Sequence, residues 1–258
     1  MKRLTQIFMF VALGSLMTFQ ACKDDTTDPN GGNTGTTKTC TLTSTTSSDG
    51  DNYDFTYTDG KVTKVVNTYG NETDTYVLTY SGDQLTQITN GTEVLKLMYT
   101  SGKLSRVEIS DDGDLYMAYV VTMSGTKISQ LEVYGIDAGT ETLWERYTYT
   151  YTGNNCTKLL DAFDTDDDGT LDYEVTYNMT SFDSKKNPYY NTPMWLTELD
   201  NPTNFCENNV LLGNIVADME SVSFSATYSY NDQNLPTQAV QSLGGFGSTT
   251  VNLQYDCK

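Results

Sequence analysis

The regular alternation of apolar and polar residues is the feature that most limits the folds open to this chain. In the segment 53–57, Tyr53, Phe55 and Tyr57 alternate with polar residues. The same pattern recurs along residues 76–80, 95–99, 147–151, 171–177, 222–230 and 251–257. A period of two with aromatic and β-branched residues is typical of half-buried antiparallel strands. Gly, Asn and Asp lie between these segments and supply the positive φ angles of tight hairpins.

A loose repeat connects the alternating segments. Most copies begin with an aromatic residue, pass through a polar turn with Gly or Asn, and end in apolar, Thr or Ser, polar, apolar. Copies run over residues 57–65, 80–88, 99–107, 125–131 and 151–159, with looser ones at 182–188 and 230–236. The early copies are spaced by roughly twenty to thirty residues, the length of one hairpin unit. Val62 and Val65 are three apart, which predicts either a β-bulge or one apolar residue outside the ladder.

The N-terminal segment predicts export. A basic start, Met1-Lys2-Arg3, precedes a short apolar run and Ala21, the pattern of a secretory signal that is removed after residue 21. The apolar run is too short to span a bilayer as a helix. Cys22 directly after Ala21 resembles a bacterial lipobox, whose Cys is lipidated and becomes the new N-terminus. Plain secretion with cleavage nearby is the alternative.

The residues after Cys22 predict a flexible tether and a location at the outer membrane. Lys23-Asp24-Asp25 resembles the tag that sends many Bacteroidota lipoproteins to the outer face of the outer membrane, although it also suits a charged linker. Residues 24–38 contain no large apolar residue, which predicts a flexible tether over 22–39 that reaches about 20 Å. We therefore expect a lipid-anchored outer-membrane protein that is exposed at the cell surface, or otherwise held in the periplasmic leaflet.

The hairpin copies resemble YD/Rhs repeats, whose unit carries Tyr-Asp, a Gly turn and Leu-Thr. Together with the lipobox and the segment 182–189, they make the chain similar to a family of Bacteroidota lipoproteins of unknown function. The resemblance covers roughly residues 40–257 and implies an extracytoplasmic sheet of hairpins without catalytic residues. We predict a mainly β domain over 40–258, an antiparallel hairpin-repeat meander. It forms one large curved sheet, open or partly closed, with a short helical insert near 190–205.

Composition excludes several functions. The formal net charge of −19 disfavours nucleic acid as a partner, because phosphate contacts need clustered Lys and Arg. The sequence contains no His, which removes the Ser-His-Asp triad and most catalytic zinc sites. A pair of carboxylates remains available, so glycosidase chemistry is not excluded.

Four cysteines remain after Cys22: Cys40, Cys156, Cys206 and Cys257. An even number in an exported protein favours disulfides, with three possible pairings. If Cys40 and Cys257 pair, the first and last strands must be neighbours. Free buried thiols, which behave as small hydrophobes, are the alternative.

An acidic loop is the best candidate for a metal site. The spacing D-x-D-x-D-G-x-x-D predicts Ca²⁺ ligands at Asp164, Asp166 and Asp168, the carbonyl of Thr170, and Asp172, with Gly169 at the sharp turn. Val175 replaces the bidentate Glu of an EF-hand, so the better analogy is a calcium loop that joins β-strands. The alternative is an ordinary hydrophilic turn. The predicted role of the ion is structural.

Two tryptophans are candidates for a ligand platform. Trp144 and Trp195 could stack on a sugar or contact a protein, but packing is the alternative for both. We expect a non-enzymatic binding or scaffolding lipoprotein stabilised by calcium, with a glycan or protein partner. The other hypothesis is a carbohydrate-active protein of a polysaccharide-uptake system, which binds glycan or acts as a carboxylate-based glycosidase.

Overall fold

The computed structural model describes residues 39–190, 196, 199, 201–218 and 220–258. The predicted signal segment, Cys22, the predicted tether up to residue 38, and Trp195 lie outside these residues. The described chain forms sixteen strands: β1 (Cys40–Ser47), β2 (Asp51–Thr58), β3 (Lys61–Tyr69), β4 (Glu72–Ser81), β5 (Gln84–Asn90), β6 (Glu93–Thr100), β7 (Lys103–Asp111), β8 (Asp114–Ser124), β9 (Lys127–Asp137), β10 (Thr140–Thr152), β11 (Asn155–Phe163), β12 (Tyr173–Lys186), β13 (Asn208–Ala217), β14 (Glu220–Tyr230), β15 (Pro236–Leu243) and β16 (Gly247–Cys257).

The sheet closes into an up-and-down barrel. Every strand pairs antiparallel with its neighbour in sequence, and β16 pairs with β1 in a register that runs from Cys40↔Cys257 to Ser47↔Val251. The antiparallel hairpin meander is as predicted, but the closure is complete rather than partial. Closure leaves no edge exposed among the described strands, because the first and last strands form backbone hydrogen bonds with each other.

Apolar side chains fill the interior of the barrel. In β2, Tyr53 and Phe55 are buried, whereas Asp54 and Thr56, between and beside them, are exposed. The same inward face continues around the barrel through side chains that are 0% exposed: Leu42, Val65, Ile88, Val107, Leu131 and Leu159. These residues belong to a single hydrophobic core. An inward side chain with no exposed surface has no water beside it, so the barrel is packed at this level.

A β-bulge explains the spacing of Val62 and Val65. Tyr57 pairs with Val62, but Thr56 pairs with Lys64, so Thr63 is an extra residue in β3. The Thr63 hydroxyl donates a hydrogen bond to the Thr56 carbonyl at 3.4 Å. The extra residue restores the inward direction of both valines, which is the first of the two alternatives that their spacing predicted.

The Thr or Ser of the repeat is the bulge residue in other hairpins as well. The register shifts by one residue in β4–β5, β6–β7, β8–β9, β10–β11 and β14–β15. In each, the hydroxyl of the extra residue donates to a carbonyl of the preceding strand at 3.1–3.3 Å: Thr86, Ser105, Ser129, Thr157 and Thr237. The repeat therefore encodes a bulged hairpin, because a hydroxyl can satisfy the carbonyl that the bulge displaces from the ladder.

The closing pair of strands, β16 and β1, has the same bulged pairing, although no turn joins the two strands. The register of β16 and β1 shifts at Thr43, whose hydroxyl donates to the Gln254 carbonyl at 3.2 Å. Tyr255 pairs with Leu42 as Tyr57 pairs with Val62. A disulfide between Cys40 and Cys257 lies where the other copies have turn residues.

The two ends of the barrel differ. We call the end that holds Thr39, Lys258 and the turns after even-numbered strands the base. We call the opposite end, with the turns after odd-numbered strands, the rim. Thr39 and Lys258 exchange backbone hydrogen bonds of 2.9 and 3.0 Å, so both ends of the described chain are fixed at the base.

The insert between β12 and β13 packs into the base. The Tyr149 hydroxyl, inside the barrel, donates to the Leu199 carbonyl at 2.9 Å, and the Tyr149 and Phe205 rings are 4.6 Å apart. Part of the helical insert predicted near 190–205 lies outside the described residues. The described part contains a 3₁₀ turn, Pro202–Phe205, which starts at Pro202 and lies at the end of the predicted range. The reason is that Asn201 caps the turn: its side chain accepts a hydrogen bond from the Thr203 amide, and Pro202 has no amide to leave unpaired.

Candidate functional site

The acidic loop lies at the rim and joins β11 to β12. Its two ends are held by the sheet, since the Asp164 amide donates to the Trp144 carbonyl at 2.9 Å and the Asp172 amide to the Phe163 carbonyl at 3.2 Å. Asp167 and Gly169 have φ angles of 64° and 85°. The left-handed conformation at two positions turns the loop tightly enough to bring its alternate side chains together.

Asp164 organises the loop from the inside. Its side chain is almost fully buried and accepts hydrogen bonds from the amides of Asp166 (3.0 Å), Asp167 (2.8 Å) and Gly169 (2.6 Å). Burial acts to raise the pKa of this carboxyl. The backbone donors outweigh burial and hold the pKa below its ordinary value.

Three predicted ligands meet in this loop. Carboxylate oxygens of Asp164, Asp166 and Asp168 all lie within 4.8 Å of one another. The pKa of Asp166 is raised, first by the charge of Asp168 and then by partial desolvation, with smaller repulsion from Asp164 and Asp172. The loop therefore holds negative charge that a cation would stabilise. Three hard oxygens at this separation suit Ca²⁺, which takes six to eight such ligands.

The other two predicted ligands have different partners. Both Asp172 oxygens face Thr165, one accepting from its amide at 3.0 Å and the other from its hydroxyl at 2.7 Å. The Thr170 amide donates to Asp168 at 2.7 Å. Asp172 would have to leave Thr165 to complete a coordination shell.

Carboxylates also occupy the other rim turns. We use the name acidic rim for the acidic residues in or next to the rim turns: Asp49, Asp51, Glu72, Glu93, Asp111, Asp112, Asp114, Asp137, Glu141, Asp164, Asp166, Asp167, Asp168, Asp172, Asp218 and Glu220. The described rim turns contain no Lys or Arg. Like charges this close raise the negative potential at this end of the barrel.

Asp51 is the most enclosed of the rim acids outside the loop. It accepts hydrogen bonds from the Tyr53 hydroxyl at 2.8 Å and the Asn67 amide at 2.5 Å. Burial raises the pKa of Asp51, and these two hydrogen bonds oppose the rise only in part.

Lysines mark the base. Lys61 donates to the Gly82 carbonyl in the next base turn at 2.5 Å and lies 2.7 Å from Asp83. Lys127 likewise donates to the Gly153 carbonyl. The base lysines are Lys61, Lys103, Lys127, Lys185, Lys186 and Lys258. This set was not predicted from the sequence, although Lys directly after the turn in several repeat copies is a signal for it.

Trp144 packs inside the barrel against a glycine. Trp144 is the extra residue at the bulge between β9 and β10, and its indole covers Gly135. A Cβ atom on Gly135 would lie 1.9 Å from Trp144 Cζ2. This half-buried ring occupies the space that the glycine leaves, so packing is one of its roles, and a role as a ligand platform stays a prediction.

The four described cysteines fall into two sets. Cys40 and Cys257 form the disulfide that closes the barrel, whereas Cys156 and Cys206 are buried free thiols. The Cys206 thiol donates to the Cys156 carbonyl at 3.2 Å. Burial raises the pKa of Cys156 to about 12, so the thiol stays protonated and unreactive at neutral pH.

Comparisons with known proteins identify the fold. No family model matches the chain, and no curated protein matches it in sequence. Several solved structures are similar, among them the following two. A porin-like protein from Bacteroides uniformis has 15% identity and a TM-score of 0.54, over 83% of this chain and 96% of that one. A porin-like protein from Bacteroides vulgatus has 14% identity and a TM-score of 0.55, over 83% and 98%. At this identity the likeness shows a shared barrel fold.

Among the described residues, no helix combines the length and the apolar character needed to cross a membrane.

Proposed function

We propose that this protein is a lipid-anchored outer-membrane protein of the Bacteroidota whose barrel stands in water and serves as a non-enzymatic binding or scaffolding domain. Acylation of Cys22 would hold it to the membrane, and a calcium ion in the acidic loop would stiffen the rim. The fold shared with two Bacteroides proteins is consistent with a Bacteroidota origin.

The direction of the side chains carries this proposal. A barrel that spans a membrane presents an apolar band to lipid. Here most apolar side chains face inward and form the core, while outward positions such as Thr56, Thr79 and Lys96 are polar and exposed. The exposed apolar side chains, such as Val77 and Leu212, are few among the described residues. The packed core also argues for a domain that supports a surface rather than one that conducts solutes.

Two measurements test the anchor and the packed interior. Expression with radiolabelled palmitate should label the wild type but not Cys22→Ser, whereas label in neither would contradict the anchor. The 40–258 domain, purified without detergent, should stay monodisperse in buffer and produce no channels in planar bilayers. Stepwise conductance would contradict the packed, water-facing barrel and favour a pore.

Calcium binding is tested by thermal unfolding in Ca²⁺ or in a chelator. Ca²⁺ should raise the melting temperature of the wild type, because it relieves repulsion between Asp166 and Asp168 and binds only the folded loop. Asp166→Asn should abolish the shift. Asp112→Asn is the matched control, since Asp112 lies in another rim turn. Equal melting of the wild type in Ca²⁺ and chelator would refute the calcium proposal.

A further inference from the structure

We infer that the base of the barrel faces the phosphate-bearing headgroups of the membrane and that the acidic rim points away from it. The inference rests on the proposed lipid anchor and adds an orientation, which the anchor alone does not impose. The surface that contacts the membrane is the base, and its partner is the anionic lipid headgroup.

The point where the chain enters the barrel is the first observation. Thr39 is fixed at the base by its backbone hydrogen bonds to Lys258. Residues 23–38 therefore connect Cys22 to the base, and a polar chain of this length spans about 20 Å as a coil. With the base toward the membrane, this segment can stay near that length. With the rim toward the membrane, it would also have to cover the height of the barrel, which stretches it and costs entropy.

The separation of charge along the barrel is the second observation. The base lysines and the acidic rim lie at opposite ends of strands that are 7–14 residues long. At about 3.3 Å per residue, a ten-residue strand puts about 30 Å between the ends, less after tilting. The Debye length in physiological salt is about 8 Å. The membrane therefore repels the rim only when the rim is turned toward it.

The base itself is close to neutral. Lys61 pairs with Asp83, and Lys258 pairs with Asp256 at 2.9 Å. Other base lysines, such as Lys103 and Lys186, are exposed and can approach lipid phosphates. Two effects therefore favour the orientation with the base toward the membrane: the membrane repels the acidic rim and weakly attracts the base.

A matched pair of probes measures the orientation. Asn71 and Thr126 are each the exposed second residue of a turn that begins with a positive-φ glycine, one at the rim and one at the base. Asn71→Cys and Thr126→Cys would carry the same fluorophore. The wild type is the labelling control, because Cys156 and Cys206 are buried.

The lipidated full-length proteins are reconstituted into phosphatidylcholine vesicles containing phosphatidylglycerol and a headgroup nitroxide quencher. We expect quenching of the Thr126 probe and little quenching of the Asn71 probe. Lys103→Glu with Lys186→Glu should lower the base-down to rim-down ratio about fivefold or more, since each lysine near an anionic surface contributes roughly that factor. Equal quenching of the two probes, or stronger quenching at Asn71, would overturn the inference.

Failure of the anchor can be separated from failure of the orientation. Flotation of the vesicles shows whether the protein is anchored at all, and absence of flotation contradicts the anchor alone. The same probes are then read on residues 23–258 held through an N-terminal His tag on nickel-chelating lipid. Base-down quenching in that arrangement supports the orientation, and its absence refutes it.

Discussion

The disulfide between Cys40 and Cys257 should contribute a large part of the stability of the barrel. The perturbation is the double variant Cys40→Ser, Cys257→Ser, which leaves the strand pairing of β1 and β16 available. The bond joins residues separated by 217 positions, almost the whole folded domain. In the chain-entropy description, releasing a loop of that size stabilises the unfolded state by about 5 kcal/mol.

Urea unfolding followed by tyrosine and tryptophan fluorescence measures the effect. The free energy of unfolding should fall by several kcal/mol in the double variant, and reduction of the wild type by dithiothreitol should reproduce the loss. Reductant should leave the double variant unchanged, because its remaining thiols are already free. A loss below about 1 kcal/mol would refute the reasoning, since it would mean that the unfolded chain gains almost no freedom when the link is removed.

Three further predictions follow from individual contacts. Gly135→Ala should destabilise the barrel by about 1–3 kcal/mol in urea unfolding, because its methyl group meets the Trp144 ring. In a Trp144→Ala background the same change should cost clearly less, and an equal cost in both backgrounds would contradict the contact. Tyr99→Phe removes the 2.7 Å hydrogen bond to the Leu85 carbonyl and should lower the free energy of unfolding by about 1 kcal/mol. Tyr69→Phe, at an exposed tyrosine, is the control and should leave the free energy of unfolding almost unchanged. Equal losses in the two variants would argue against a stabilising role of the Tyr99 hydrogen bond. The raised pKa of Asp51 means that its contribution favours folding below the pKa of the unfolded chain and is lost as pH rises through the folded pKa. Asp51→Asn should therefore flatten the fall in melting temperature between acidic and neutral pH, and an unchanged pH profile would rule out this role.

Local features of the fold could be predicted from the sequence. Alternation placed Tyr57, Tyr80 and Tyr99 on one face, and all three pack against the core. The spacing of Val62 and Val65 predicted either a bulge or an apolar residue outside the ladder, and the structure has the bulge, at Thr63. These predictions succeeded because each depends on residues within one hairpin, where the period of the sequence and the residues of the turn determine the local structure.

Closure of the sheet could not be predicted with the same certainty. It depends on the pairing of β1 with β16, across the whole length of the domain, and neither strand carries a signal for its partner beyond Cys40 and Cys257. The role of the repeated Thr or Ser was also missed. Its signal was present, because a hydroxyl residue recurs directly after the first residue beyond the turn that faces the core, as in Val62-Thr63 and Leu85-Thr86.

The acidic loop shows a different limit. Spacing alone put five residues in one ligand set, and the structure brings Asp164, Asp166 and Asp168 together. Asp172 instead bonds to Thr165, a contact that depends on how the loop folds back on itself. Sequence spacing determines which side chains can meet, and the local hydrogen bonds determine which of them do.

The closing pair β16–β1 has the same pairing as the bulged hairpins of the base. The two ends of the described chain therefore take the place of one base turn. A circular permutant that joins Cys257 to Cys40 through a Ser-Gly turn like Ser101-Gly102, and opens at Gly60 instead, should adopt the same barrel. Duplicating one hairpin, by contrast, would widen the ring by two strands and enlarge its interior, so the present core side chains would no longer fill it. The position of the break is free to vary along the ring, and in this chain it lies at the base, where Thr39 and Lys258 exchange backbone hydrogen bonds.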